Sequence, residues 1–295
     1  MFLHVNKKLM LWMMVYSNFS PLFLTLCWGL QTNSKSSGPV PIPHSAWPDR
    51  FPAKEHCSRC GLCETTFVSE VTSSCAFIGD GMSRIDHMEE KVHGRRRKLN
   101  DEADSADELR FGVHEEPMML AKGSVIGAQW TGVVTSIAIS MLEANAVDAV
   151  VCIANESDAN ETKDDDDKVK NVSWSEPRPI IARNVEQVLK GKGVKPALAP
   201  SLAVLDEIKS DPSIKRLLFC GVGCAVQAFR AVQDKLGLDE VFVLGTNCAD
   251  NSPTPEAARS FIEKGTKLDP SSVQGYEFMQ VSFSFCVCKF DNLIK

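Results

Sequence analysis

The chain has 295 residues, 44% hydrophobic and 24% charged, which is material for about two folded domains and excludes wholesale disorder. The 32 basic and 38 acidic residues leave a charge of −6. Half of that deficit sits in Glu161–Lys168, so the remainder is near neutral and excludes a general nucleic-acid binder. Eleven cysteines are too few for a disulfide miniprotein of this length, and an odd number cannot all pair.

Residues 9–15 (LMLWMMV) and 21–30 (PLFLTLCWGL) are apolar and follow Lys7 and Lys8. The pattern suits a signal peptide or a weak membrane span, but the polar stretch Tyr16–Pro21 interrupts it. Acids are absent before Asp49, as in a plastid transit peptide, yet so is arginine. Four N-x-S/T triplets, at Asn18, Asn155, Asn160 and Asn171, would suit secretion. Residues 31–50 contain four prolines among serines and read as an extended linker.

Cys57, Cys60 and Cys63 form C-x2-C-x2-C, and Cys75 follows. Three cysteines at three-residue steps in a tight loop place three thiolates around one small volume, as a cubane cluster requires, with a fourth arriving from further along. Gly61 lets the backbone turn closely inside the run. Structural zinc is the competing reading, with His56 or His87 standing in for a second knuckle. Disulfides would strain the adjacent pairs and need an oxidising compartment. Cluster assembly needs a reducing one, and the sequons then become incidental.

His93–Lys98 (HGRRRK) packs four positive charges between Glu89, Glu90 and the acids of residues 101–108, so its field largely cancels. It reads as a solvated loop or a docking patch for an acidic partner. Residues 164–168 (DDDDK) read as an exposed acidic loop between two strands.

From about Phe111 the pattern alternates helix and strand. Residues 131–145 place Val134, Ile137, Met141 and Leu142 on one helical face, and residues 147–154 form a valine-rich buried strand. Asn184 with Gln187 opens a short helix ending near Gly191, and another covers 201–210. A strand at 215–220, a glycine turn, a helix from Cys224 to about Leu236 and a strand at 240–244 complete the series. Such spacing implies parallel strands whose ligands gather at their carboxyl ends.

Two turns sit at such positions. Gly221-Val222-Gly223 opens a helix, but Val226 occupies the third fingerprint position, so G-x-G-x-x-G fails. Cys224 sits in that turn, and Cys248 follows the next strand, which brings the two to one sheet edge as candidate ligands, whereas Cys152 and Cys220 read as inert strand cysteines. Gly127, Ala128, Gln129, Trp130 and Thr131 form a small-residue turn at a helix N-terminus, suited to a phosphate or simply to starting the helix. Trp130 either stacks on a flat ring or fills core.

The stretches FPAKEHCSRCGLCET, CAFIGDGMSRI, FGVHEE, GAQWTGVVT, KRLLFCGVGC and VLGTNCADN, running from about Trp47 to Gln280, resemble the plant and cyanobacterial 7-hydroxymethyl chlorophyll a reductases, which group with the beta subunits of deazaflavin-dependent hydrogenases and dehydrogenases. The resemblance implies a chloroplast FAD enzyme with two 4Fe–4S clusters, reduced by ferredoxin and acting on a chlorophyll derivative. It implies that Cys57, Cys60, Cys63 and Cys75 hold one cluster, that Cys224 and Cys248 serve a second, and that the flavin lies against Gly127–Thr131. It identifies no catalytic residue. The family's further C-x2-C is not matched: after Gln280 the sequence departs, and the C-x-C of Cys286 and Cys288 is no substitute. A C-terminally truncated form is therefore expected, with the second cluster incomplete.

The expected architecture is α/β with a mostly parallel sheet, incomplete at the C-terminus, and a small N-terminal iron–sulfur region. Its parts are an apolar N-terminus and linker (1–50), the cluster region (51–110), the α/β flavin-binding region (111–280) and an unmatched tail (281–295). An inactive cluster- or zinc-binding fragment, or an iron–sulfur flavin reductase with another substrate, remains the alternative. Homo-oligomerisation is left open.

Overall fold

The computed structural model describes residues 57–78, 86–98, 108, 111–114, 116–117, 119, 121–126, 128, 132–155, 176–193, 195–246, 248, 252–273, 279–282 and 285–287. The apolar N-terminus, the linker and the acidic loop lie outside them. No helix among the described residues is long and apolar enough to cross a membrane.

In chain order the elements are α1 (Val68–Ser73), α2 (Asp86–His93), α3 (Val133–Glu143), β1 (Ala149–Asn155), β2 (Pro177–Ala182), α4 (Val185–Lys190), α5 (Leu205–Ser210), β3 (Arg216–Val222), α6 (Gly223–Val232), β4 (Glu240–Thr246), α7 (Pro255–Thr266), β5 (Met279–Ser282) and β6 (Phe285–Val287). Four strands form one sheet in the order β2-β1-β3-β4. β1, β3 and β4 are parallel, and β2 pairs antiparallel at the edge of β1. The fold is thus mixed α/β and mostly parallel, as expected, with one antiparallel edge. Pro177 and Pro179 suit that edge, because proline lacks the N–H that an inner strand must donate on both sides. β5 and β6 form a separate antiparallel pair.

Alternation along the inner strands sorts side chains between two faces. Ala149 and Val151 of β1 with Leu217 and Phe219 of β3 meet Leu205 and Ile208 of α5 and Ala225, Phe229 and Val232 of α6. The intervening residues Val150, Leu218 and Cys220 meet Val133, Ile137, Ala138 and Met141 of α3 and Val188 of α4. The result is a sheet sandwiched between two helical layers. Phe219 and Phe229 stack with ring centroids 4.2 Å apart and anchor α6 to the sheet.

Several boundaries move, for local reasons. The strand expected at 147–154 begins at Ala149 because Asp148 turns its carboxylate onto β3: Oδ2 accepts the N–H groups of Lys215 (2.9 Å) and Arg216 (2.7 Å), and Oδ1 accepts Arg216 Nη2 (2.6 Å). The helix expected to begin at Thr131 begins at Val133, after Gly132 in the left-handed region at φ 66°. That shift makes Val133, not Val134, the fully buried residue. Residues 201–204 form turns before α5, and the helix after Cys224 ends at Val232 with a single 3-10 turn behind it. At α4 the cap is as expected, with Asn184 Oδ1 accepting the Gln187 N–H at 2.9 Å. The helix α7 is an addition to the expected elements, and Thr254-Pro255-Glu256 is its start signal: the Thr254 hydroxyl accepts the Ala257 N–H at 3.2 Å.

Candidate metal centre

The parallel register places Gly221 opposite Gly245 and Val222 opposite Thr246, so β3 and β4 end level. Cys224 lies two residues past the end of β3 and Cys248 two past the end of β4. The Thr246 hydroxyl donates across to Gly221 O at 3.3 Å and ties the two ends together. Cys224 and Cys248 thus follow the carboxyl ends of two neighbouring parallel strands. The Cys224 thiol is pushed up to about 11, first by burial, then by the Cys60 and Cys248 sulfurs.

Cys60 belongs to the N-terminal run, so the two cysteine groups converge, which separate readings of the two motifs did not reveal. Their convergence rests on docking. Cys60, Cys63 and Cys224 pack against the same apolar cluster, beside the buried Leu62, Phe67 and Val71. Gly61, at φ +74°, rests on Pro200, and a Cβ there would lie 2.7 Å from the proline Cβ. The segment bearing Pro200 is in turn bridged to the loop beyond Cys248, through the Ala197–Ser252 pairing and the Leu198 N–H donated to Ser252 O at 2.9 Å. Behind the site, Gln227 of α6 donates to the Ser74 carbonyl at 2.8 Å, next to Cys75.

Backbone N–H groups point at the sulfurs. Arg59 donates to Cys57 at 3.2 Å and Phe77 to Cys75 at 3.4 Å. Both donors sit two residues after the cysteine they serve. The backbone at Leu62 and at Ala225 pulls the Cys60 and Cys224 thiols down. Arg59 adopts φ 52° to make the first turn. Such donors stabilise a thiolate, and they are the contacts that tune cluster sulfur. The Cys60 thiol is nevertheless raised by burial first, despite the Leu62 backbone, and then by Cys75 and Cys57. Gathered thiolates repel one another, and a bound cation removes that repulsion.

The donor set fits an iron–sulfur cluster by chemistry: thiols from one loop, N–H groups on the sulfurs and an apolar wall behind. Among the described residues no group of three or more histidine, cysteine, aspartate or glutamate side chains is already close enough to hold a metal ion. The described cysteines form no disulfide. Cys152 and Cys220 lie on the other face of the sheet, each raised by burial.

Of the turn expected to receive a flavin, Ala128 alone is described; Gly127, Gln129, Trp130 and Thr131 lie outside the described residues. Around it the chain folds tightly onto the start of α3. Ser124 donates its N–H to Ser136 Oγ at 3.2 Å, and a Cβ on Gly123 would collide with Gly132 O. Among the described residues, no side chain caps the α3 N-terminus.

The basic run is internally neutralised. Arg95 pairs with Glu108 (2.6 Å), Arg96 with Glu90 (3.3 Å) and Arg97 with Glu89 (2.8 Å). The Arg95 guanidinium holds the Glu108 carboxyl down at about 2. These arginines staple α2 to its following loop, and Lys91 fixes α2 to the end of α6 by bonding Asp234 (2.7 Å) and Arg230 O (3.0 Å).

Two profiles of one family match in order: the N-terminal part of the coenzyme F420 hydrogenase/dehydrogenase beta subunit over residues 119–206, and its C-terminal part over residues 214–291. Together they take in more than half of the chain. The chain belongs to this beta-subunit family. The second match extends to residue 291, past the point where motif resemblance ended. The chain is 47% identical over 231 residues to the chloroplastic 7-hydroxymethyl chlorophyll a reductase of Oryza sativa, covering 78% of this chain and 44% of that protein. It is 44% identical over 232 residues to an uncharacterised Nostoc protein, covering 78% and 52%. The F420 hydrogenase beta subunit of Methanosarcina barkeri is 25% identical over 162 residues, covering 53% and 50%. A chain of the F420-reducing [NiFe] hydrogenase complex of Methanosarcina barkeri superposes at TM-score 0.42 and 22% identity, over 52% of this chain and 50% of that one. The chain spans about half the length of the curated relatives it matches.

Proposed function

We propose that the protein is an iron–sulfur flavoprotein oxidoreductase of the chloroplast that reduces 7-hydroxymethyl chlorophyll a to chlorophyll a with electrons from reduced ferredoxin. The observation that carries this reading is the 47% identity to the Oryza sativa reductase over 231 residues, a span that takes in most of the chain. Two electrons and two protons convert the hydroxymethyl group to methyl and release water. When bound, clusters supply one-electron transfer and FAD supplies the two-electron step.

The chain's own residues are given the following parts. Cys57, Cys60, Cys63 and Cys75 hold a 4Fe–4S cluster, with the N–H groups of Arg59 and Phe77 on its sulfur ligands. Cys224 and Cys248 provide part of a second ligand set. Leu62 and Phe67 shield the first site from water on its inner side. The uncapped start of α3 and the turn at Gly127–Thr131 receive an anionic part of the flavin, where helix amide groups favour negative charge.

The test is a coupled assay of the protein, loaded anaerobically with iron, sulfide and FAD and given reduced ferredoxin and 7-hydroxymethyl chlorophyll a. Chlorophyll a accumulating over many turnovers supports the proposal. A loaded flavoprotein that oxidises ferredoxin but leaves the pigment untouched contradicts the substrate assignment. The matches to the F420 beta-subunit family favour a second electron donor, so the same assay is run with reduced F420.

A further inference from the structure

Gln227 is buried to 4% exposure on α6, in the layer between α6 and α1. It lies three residues after Cys224, so the two side chains share a helix face. Its Nε2 donates to the Ser74 carbonyl at 2.8 Å, and its Oε1 is buried with no hydrogen-bond partner among the described residues. A glutamine kept there with half its amide unsatisfied is a poor choice for packing alone, since methionine would fill the volume without stranding an acceptor.

The bond it makes is specific in direction. Ser74 closes α1, and its carbonyl belongs to the peptide linking it to Cys75. That carbonyl falls among the terminal groups a helix leaves without an internal partner. Holding it fixes the peptide plane from which the Cys75 side chain leaves, and Cys75 then accepts the Phe77 N–H. One amide therefore connects the backbone at Cys75 to the helix that carries Cys224.

We propose that Gln227 is a positioning residue that fixes the Cys75 loop against α6 and so sets the separation of the two cysteine groups. The proposal rests on the reading of Cys75 and Cys224 as cluster ligands. Its mechanical part, the restraint on Cys75, stands on the geometry alone. The consequence for electron transfer is direct: a fixed separation between redox sites keeps their coupling constant, and holding the Cys75 loop against α6 limits the water that reaches its sulfur, which keeps the cluster potential low.

The test begins with the metal-free chain under reduction. Iodoacetamide labelling of each cysteine is followed by mass spectrometry in the wild type, Gln227→Met and Gln227→His. Gln227→Met removes the donor at similar volume and should speed labelling of Cys75 at least fivefold, with Cys152 and Cys220 within twofold of wild type. Gln227→His restores a ring N–H and should return Cys75 to within about threefold of wild type. If Gln227→Met does not fold, Gln227→Leu takes its place. Equal labelling of Cys75 in all variants, or acceleration of all buried cysteines together, overturns the proposal. A second arm uses the chain reconstituted anaerobically with iron and sulfide: Gln227→Met should raise the cluster's midpoint potential, because water reaching Cys75 stabilises the more negative reduced state. An unchanged potential contradicts the positioning role. A wild type that takes up no cluster contradicts the proposed function instead, and the labelling arm still decides the role of Gln227.

Discussion

A thiol pressed into an apolar surface ordinarily stays protonated, and Cys152 shows that state, pushed up to about 11 by burial with only Lys195 pulling the other way. Cys60 and Cys224 share the burial, but they lie on the opposite face of the sheet from Cys152 and Cys220, in the layer that also packs Cys63. The proposed ligands are on that face, and the pair on the other face is read as filler. Cys60→Ser should abolish iron uptake, whereas Cys220→Ala should leave iron per chain unchanged and cost about 1 kcal/mol of stability, the loss of a small buried group. Iron analysis beside thermal melts checks both. The far end of the sheet offers a contrast in Asp148, whose carboxyl the Arg216 guanidinium holds at about 2 against an ordinary 3.8. Because the folded value is depressed, its stabilisation is fully present above 3.8 and fades as pH falls through 2. Asp148→Asn should cost about 1–2 kcal/mol at pH 7, discounting the linkage value for solvent screening. The gap to wild type should close between about pH 4 and pH 2. A gap that persists at pH 2 would show that the carboxylate's charge is not the source.

At the scale of elements, the docking of the cysteine loop depends on Gly61, where a positive φ and the close approach of Pro200 coincide. Gly61→Ala should destabilise the chain by about 1–3 kcal/mol. It should also lower iron loading, while an alanine at Gly193, which has the same kind of φ but open space around it, should leave loading intact. Equal loading in both variants contradicts the docking. Much of this layer was legible beforehand. The strands β1, β3 and β4 announce themselves as short apolar runs between turn residues, and Asn184 and Gln187 mark a helix start. Boundaries were less legible because tertiary bonds set them, as the Asp148 carboxylate does for β1. β2 carries two prolines and reads poorly as a strand until its place at the edge is known. The neutralisation of the basic run was visible in outline, but not its pairing: the buried Arg97–Glu89 contact depends on the turn after α2.

At the scale of the whole molecule, three layers of secondary structure hold two cysteine groups, far apart in sequence, against one face of a mostly parallel sheet. Each group was visible as a motif. Their adjacency was not, because it arises from α1 packing on α6 and from Pro200 reaching under Gly61, contacts that no local pattern encodes. The whole-molecule account therefore stands or falls on whether the N-terminal group takes up a cluster. The direct measurement is anaerobic reconstitution with iron and sulfide, followed by iron, sulfide and zinc analysis and absorbance, for wild type and Cys57→Ala. The account predicts roughly four iron and four sulfide per wild-type chain, the content of one cubane cluster, with the charge-transfer absorbance lost in Cys57→Ala. Retained zinc with less than one iron per chain, or a Cys57→Ala spectrum identical to wild type, would contradict it.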